Sequence, residues 1–322
     1  MHGVLSINVE FSTRATLTAR YLIAAPSCSL FIQHVKKGCR QLLITVYITT
    51  YNRRELVERA INSVLAQSYS HIEIIVADDG STDGTQDYLA SLQSDGIVTA
   101  LFNTSSKSKG ACYGRNRAIA IAQGEYITGL DDDDFFEPWR IESFIIKWNE
   151  YTADKKVFSA LFDSVVEHRR SGPVACYDTK VATHQKLRKG NVVGNQVFTK
   201  TSYLKAVGGF DEKMPALQDW DTWLRLSNHY GDILNVNTRS YIQIQNHEGE
   251  RITGKPADKI RFAFNRLMNK LQPLTRSEES HLLATMYSGY PQIDIRISEL
   301  FKIFMGGHFR KVAQVVKRTL LK

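Results

Sequence analysis

Three short apolar runs, each stopping at a polar cluster, constrain this chain more than any other feature. They are LLITVYITT (Leu42–Thr50), IEIIVA (Ile72–Ala77) and EYITGL (Glu125–Leu130). Unbroken β-branched runs of this length suit strands buried on both faces. Helical periodicity fills the gaps. Val57, Ala60, Ile61, Val64 and Leu65 repeat at helical spacing after the first run, behind an Asn52-x-x-Glu55 capping box. Tyr88, Leu89 and Leu92 mark a helix after the second, and Ile97–Asn103 reads as another strand. KGACYGRNRAIAIAQG then reads as a loop entering a helix that Gly124 closes as its C′ residue. Pro138 suits the first turn of the helix carrying Phe144 and Trp148.

Alternating strands and helices predict an α/β fold with a mostly parallel, twisted sheet covered on both faces. Ligands in such sheets bind beyond the carboxyl ends of the strands. The clusters Thr49–Asn52, Asp78–Ser81 and Asp131–Asp134 should therefore meet at one rim.

The rest of the chain follows from smaller signals. Residues 157–185 predict further strands, and Asp219–Gly231 a helix with Trp220, Trp223, Leu224 and Leu226 in the core. From Pro256 the pattern is helical. Between Arg296 and Lys322 seven Lys and Arg face one acid, Glu299, and Phe309, Val312, Ala313, Val316 and Leu320 share one helical face. Tyr21–Ile32 is apolar but short and holds Pro26, so residues 1–40 are expected to be a poorly ordered extension. The expected organisation is that extension, an α/β domain over 41–250 and a helical basic region over 251–322.

Composition excludes more than it selects. With 43% apolar residues in 322, a core is available. The net charge of +8 suits nucleic acid, anionic membranes or phosphorylated substrates alike. The basic residues gather in the tail instead of forming a stripe interleaved with aromatics, so a nucleic-acid partner is not expected. The four cysteines are scattered with no CxxC, which disfavours zinc and disulfides and suits a cytoplasmic protein. No GxGxxG or GxxxxGK[ST] occurs, so dinucleotide and P-loop readings lose support.

The chemistry gathers at GLDDDDFFEPW. Four adjacent carboxylates, Asp131 to Asp134, repel one another unless something compensates. In an extended segment Asp131 and Asp133 would share one face and Asp132 and Asp134 the other. Paired carboxylates form a hard-oxygen site for Mg²⁺ or Mn²⁺. An EF-hand loop fails, because its glycine and glutamate positions hold Phe136 and Glu142. A solvated acidic turn is the competing reading. In VADDGSTDGT, Asp78 and Asp79 can accept from a nucleobase N–H or ribose hydroxyls, while Ser81 and Asp83 could serve a plain capping turn.

Together TVYITTYNR, IEIIVADDGSTDGT, GRNRAIAIAQGEYITGLDDDD and GGFDEKMPALQDWDTWLRL resemble the inverting family-2 glycosyltransferases of the GT-A fold. The likeness runs from about residue 42 to about residue 230. It implies a Rossmann-like nucleotide-binding half, an acceptor-binding half and a helical C-terminal extension. It also implies transfer of a hexose or N-acetylhexosamine from a UDP-sugar, assisted by Mn²⁺ or Mg²⁺, to a saccharide or lipid-linked saccharide. By the same resemblance, Thr50, Tyr51 and Arg53 begin the nucleotide pocket, Asp78 and Asp79 hold the base, and Arg115 and Asn116 line the donor site. Asp131 and Asp133 match the family's Asp-x-Asp, with Asp133 as the direct metal ligand and Asp131 and Asp132 also on the nucleotide-sugar. Asp219 matches the general base, in a motif that is usually Glu-Asp and here is Gln218-Asp219. As a helix N-cap, Asp219 would need no catalytic role. His247 falls where related enzymes carry a histidine touching metal or diphosphate, although a lone histidine also serves structure. Surface polysaccharide or lipopolysaccharide synthesis is the implied setting, on the cytoplasmic membrane face if the basic tail lies on anionic lipid. The alternative is a catalytically silent protein of the same fold that binds glycan or nucleotide.

Overall fold

Alternation along the first strand sets up two cores. The strand β1 (Ile44–Thr50) turns Ile44, Val46 and Ile48 to one side and Tyr47 to the other, all buried. The first side packs on Val57, Ala60, Ile61 and Val64 of α1 (Arg54–Leu65). The second meets Cys112, Ala118 and Ile119 of α3 (Ala111–Ile121). These positions come from a computed structural model, which describes residues 41–105, 107–169, 172–244 and 256–320.

The chain continues through β2 (Ile72–Asp78), α2 (Thr85–Ser94), β3 (Thr99–Phe102) and, after α3, β4 (Tyr126–Asp131). Then follow β5 (Asp134–Phe136), α4 (Arg140–Ala153), β6 (Phe158–Phe162), β7 (Val165–Arg169), β8 (Gly172–Cys176) and β9 (Val181–Ala182). Next come α5 (His184–Leu187), β10 (Phe198–Lys200), α6 (Thr201–Ala206), α7 (Gln218–Tyr230), β11 (Asp232–Asn235) and β12 (Tyr241–Ile244). The helices α8 (Ala257–Lys270), α9 (Arg276–Gly289), α10 (Ile297–Met305) and α11 (Phe309–Leu320) close the described chain.

An eight-stranded sheet runs in the order β3-β2-β1-β4-β10-β6-β11-β9, and a four-stranded sheet in the order β5-β12-β7-β8. The β3-β2-β1-β4 half is parallel, and β10 runs antiparallel to both β4 and β6. Strand order reverses at β1, which is the usual place for a ligand crevice in open α/β sheets. The described residues from Leu42 onward form one compact unit. Within it, Ile260, Phe264 and Leu267 of α8 and Leu282, Leu283 and Tyr287 of α9 share a core with Trp220 and Trp223 of α7. Both indoles are spoken for: Trp220 donates to the Leu187 carbonyl at 2.7 Å and Trp223 to the Gly194 carbonyl at 3.0 Å.

Three local expectations are corrected. Asn52 makes no capping box. It sits at φ 51°, and its side chain accepts from Thr82 N at 2.7 Å, while Arg53 occupies the N-cap. The first turn of α1 is instead capped from the next loop, where Asp83 accepts from Arg54 N at 3.0 Å. The same Asp83 accepts from Thr85 N at 3.1 Å, so one carboxylate serves the starts of two helices. Gly124 is not a left-handed cap. It is required by close approach, because a Cβ there would lie 2.5 Å from Thr45 N. Pro138 lies just before α4, whose N-cap is Trp139.

Gly129, in the middle of β4, is the tightest such position near the rim. A Cβ there would lie 2.0 Å from Gln196 Oε1 and 2.5 Å from the Tyr47 ring. The Gln196 side chain could swing away, but the buried ring cannot. Gly129→Ala should therefore lower stability by about 2–3 kcal/mol. Urea unfolding that leaves the midpoint unchanged would refute the packing read here.

Candidate functional site

Register brings the polar clusters together. The last residue of β1, Thr50, pairs with Asp78 on β2, and Thr49 pairs with Asp131 on β4. The rim anticipated from three separate loops is therefore one continuous edge.

The four aspartates straddle a junction between the two sheets. Asp131 ends β4 of the large sheet, and Asp134 begins β5 of the small one, opposite Gln243. Asp132 and Asp133 form the turn between them. The expected alternation therefore fails: Asp132 Oδ1 and Asp133 Oδ2 both reach Arg53 Nη1, at 2.9 and 3.4 Å. Arg59 also donates to the Asp133 carbonyl.

Each carboxylate has its own compensation. Asp131 accepts from Arg115 Nη2 at 3.0 Å, Gln196 Nε2 at 2.9 Å and Asn195 Nδ2 at 2.8 Å. Both of its oxygens are thus engaged by protein donors. Burial raises Asp132 to about 6, with Arg53 pulling down and Asp133 pushing up. Burial also lifts Asp134 well above the carboxylate range, reinforced by the charges of Asp131 and Asp133 and opposed by hydrogen bonds from Tyr241 and Gln243. Burial and the neighbouring charges thus disfavour the ionised form of Asp134, which works against the build-up of charge in the tetrad. The Tyr241 hydroxyl accepts from Asp131 N at 3.3 Å and from Asn195 Nδ2 at 3.1 Å.

Asp78 and Asp79 shape the neighbouring loops. Asp78 is buried and accepts from Gly80 N, Ser81 N and Gln86 Nε2, mostly through Oδ2. Asp79 accepts from Asn103 Nδ2, Ser108 Oγ, Lys109 N and Gly110 N, tying its loop to the entry of α3. Burial works upward on Asp79, but those four bonds outweigh it and hold the carboxyl below its usual range. Tyr51 is exposed on the loop between β1 and α1.

Asn116 does other work than its sequence neighbour. Its amide donates to the Phe210 carbonyl at 2.8 Å and to Glu212 at 2.9 Å, and its oxygen accepts from Phe210 N at 2.8 Å. It clamps α3 to the turn before α7, while Arg115, buried under the Phe210 ring, faces Asp131.

Asp219 stands in the first turn of α7, behind Leu217, which takes φ 62° at the N-cap. It is therefore not the cap residue. Asn191 Nδ2 donates to its Oδ2 at 3.2 Å. Burial raises its pKa, the Trp220 N–H and the Arg115 charge lower it, and the Asp131 charge raises it. Arg115 thus links the tetrad electrostatically to Asp219. Tyr177 and Tyr290 lie in the same field: burial and then the Asp219 charge raise both, Tyr290 to about 12. Tyr290 caps α9, so the helical region comes within the field of Asp219. His247 lies outside the described residues.

Sequence reasoning missed Asn191, Asn195, Gln196, Tyr177, Tyr241 and Tyr290. Asn195 and Gln196 stand just ahead of β10, whose antiparallel pairing with β4 puts its start toward the Asp131 end, and that pairing is not written in the local sequence. Tyr241 and Tyr290 carried no signal either, because only folding brings Tyr241 to Asp131, 110 positions away, and Tyr290 into the field of Asp219, 71 positions away.

Comparison with known proteins bears on the family and the fold. The description "Glycosyl transferase family 2" matches residues 45–195. The chain is 34% identical over 258 residues to the glycosyl transferase WcaA of Escherichia coli K12, named for colanic acid biosynthesis, covering 76% of this chain and 87% of that one. It is 34% identical over 125 residues to the Escherichia coli enzyme WfaP, named a UDP-Glc:α-D-GlcNAc-diphosphoundecaprenol β-1,3-glucosyltransferase, covering 39% of this chain and 47% of that one. In fold it matches Staphylococcus aureus TarS (residues 1–349, with UDP-GlcNAc) at a TM-score of 0.60 and 18% identity, over 81% of this chain and 78% of that one.

Proposed function

Because this chain belongs to glycosyl transferase family 2, we propose that it moves a hexose or N-acetylhexosamine from a UDP-sugar to a saccharide acceptor with inversion. The observation that carries the reading is the shared rim, where Asp131–Asp133 pair with Arg53 and Arg115 and where the Arg115 and Asp131 charges act on Asp219.

The donor's nucleotide belongs on the β1–β2 side. There Thr50 pairs with Asp78 at the strand ends, with Tyr51 and Arg53 just after it, and Asp78 Oδ1, with only one long contact from Ser81 N at 3.3 Å, keeps capacity to accept from a base N–H. Asp219 takes the proton of the attacking acceptor hydroxyl. As the acceptor oxygen bonds to the anomeric carbon, the bond from that carbon to the diphosphate oxygen breaks, and its electron pair leaves with UDP. The raised pKa of Asp219 suits a general base better than an ordinary surface carboxylate would. Asn191 fixes its orientation, and Tyr177 and Tyr290 form the acceptor side.

The residues at the tetrad fit a hard divalent cation. Asp133 keeps a side chain about 20% exposed, and Asp132 and Asp134 on either side of it are held above their usual range by burial and neighbouring negative charge. Among the described residues no three acidic, His or Cys side chains form a complete cage, so one or two carboxylates plus donor phosphates is the coordination that suits Mg²⁺ or Mn²⁺. Asp133 is the ligand on this reading. Asp131 positions it, since its own oxygens are engaged by Arg115, Asn195 and Gln196. When bound, the cation supplies Lewis-acid stabilisation of the leaving diphosphate.

The setting that goes with this reading is surface-polysaccharide synthesis at the cytoplasmic face of a membrane, with a lipid-linked saccharide as acceptor. Donor hydrolysis across UDP-, GDP- and dTDP-sugars with Mn²⁺ tests it. UDP-sugars should turn over best, and chelation should cut the rate about a hundredfold or more. Turnover unaffected by chelator would remove the metal, and preference for GDP- or dTDP-sugars would remove the UDP assignment.

A further inference from the structure

The outer face of α10 is apolar where a soluble helix should be polar. Ile297, Phe301, Phe304 and Met305 stand at i, i+4, i+7 and i+8, and they are 85%, 64%, 48% and 62% exposed. Helical geometry puts such positions on one stripe. The opposite side of the helix is the packed one: Ile303 is fully buried, Leu300 packs on the main core, and Glu299 accepts from Arg261 at 2.9 and 3.0 Å. The helix is thus anchored, and the exposed stripe does not result from a loose end.

The stripe continues around a corner. The Phe309 ring, 56% exposed at the start of α11, packs edge-on against Phe304 with centroids 4.8 Å apart. Val316, further along α11, is also exposed, while Val315 is buried. Single exposed apolar residues are ordinary, but four large ones in helical register on α10, continued by Phe309 of α11, are not.

Charge selects the occupant. Arg296, Arg310, Lys311 and Lys317 are exposed around the stripe, and Lys302 pairs with Glu279 at 2.7 Å. From Arg296 to the last residue the only acid is Glu299, and it is turned inward to Arg261. An apolar stripe rimmed by cations complements a surface that is apolar inside and anionic outside. Among the described residues no helix is long and apolar enough to cross a membrane, so such an element would lie in the interface plane.

We infer that the α10–α11 corner docks this protein on an anionic phospholipid bilayer, inserting Ile297, Phe301, Phe304, Met305 and Phe309 among the acyl chains below their headgroups. The inference deepens the membrane setting proposed above and rests on it for the meaning of docking, which is access to a lipid-borne acceptor. Its element differs from the one the sequence suggested. The inserted face is chiefly that of α10, which ends before the most basic part of the tail.

Vesicle co-sedimentation of the full chain tests it, with phosphatidylglycerol/phosphatidylcholine vesicles against phosphatidylcholine alone. Wild-type protein should pellet with the anionic vesicles and bind neutral ones at least about tenfold more weakly. Phe301→Ser with Met305→Ser should weaken binding to anionic vesicles at least about tenfold, since two large apolar groups no longer enter the lipid. Lys311→Glu with Lys317→Glu should weaken it too, and added salt should mimic that loss but not the first. All four positions are exposed, so circular dichroism and UDP release from a soluble donor should match wild type. Wild-type protein left in the supernatant, or serine and glutamate variants that bind as wild type does, would overturn the proposal. So would a wild-type dimer that ignores vesicles and is split by Phe301→Ser with Met305→Ser, which would make the stripe a contact between two copies. Vesicle binding needs no turnover and soluble-donor hydrolysis needs no vesicle, so failure here is separable from failure of the catalytic reading.

Discussion

Asp219→Asn will abolish sugar transfer while leaving donor binding nearly intact. The substitution keeps the shape and removes the proton acceptor. A positioned general base contributes about 10²- to 10⁴-fold, so the turnover number should fall by that order. The dissociation constant for the UDP-sugar should move by less than about threefold, because on this reading Asp219 meets the acceptor and not the nucleotide. Asn191 would still have an oxygen to donate to, so the local structure should persist. The wild-type pH profile adds a second check. A base works only when ionised, so activity is lost as pH falls through its pKa. Burial raises that pKa, and the acid limb should therefore lie above the usual aspartate value near 4. In Asp219→Asn the limb should vanish from the residual rate. Loss of donor affinity in the variant would instead place Asp219 in donor binding.

Asp131→Ala should be the most damaging substitution for stability at the rim. Arg115 is buried, with its side chain only 7% exposed, and Asp131 is the carboxylate it pairs with. Removing the acid strands a buried cation, at a cost of about 3–5 kcal/mol, and releases Asn195 and Gln196 as well. Relief of repulsion within the tetrad offsets part of this, so a net loss of about 3 kcal/mol is expected in denaturant unfolding. Asp131→Asn, which keeps an acceptor for Arg115, should lose less. The double variant Asp131→Ala with Arg115→Met should recover stability relative to Asp131→Ala alone, because no unpaired charge remains. Equal losses in both would show that the pair is not coupled.

The tetrad shows how much could be read in advance. Its position after a buried strand was legible, because β-branched runs and helical spacing are local signals. So was its meeting with Asp78, since parallel strands place their carboxyl ends on one edge. How the four carboxylates divide was not legible. Alternation assumed one extended segment, whereas Asp131 and Asp134 belong to different sheets with a turn between them. Asn52 and Gly124 teach the same point on a smaller scale. Each matched a capping pattern, and in each case a contact distant in sequence, to Thr82 and to Thr45, decided the role. The Arg115-Asn116 pair was legible as a motif, but helical geometry sends the two side chains to different partners.

By itself the sequence determined the order of strands and helices, the rim on which the acids gather and the family they belong to, because periodicity and strand polarity are properties of neighbouring residues. Tertiary structure alone decided which donors neutralise which carboxylate, that Tyr290 from the helical region comes within the field of Asp219, and that the apolar stripe of α10 faces outward. Hydrogen bonding, desolvation and burial act between groups brought together through space, and no local pattern along the chain encodes their pairing.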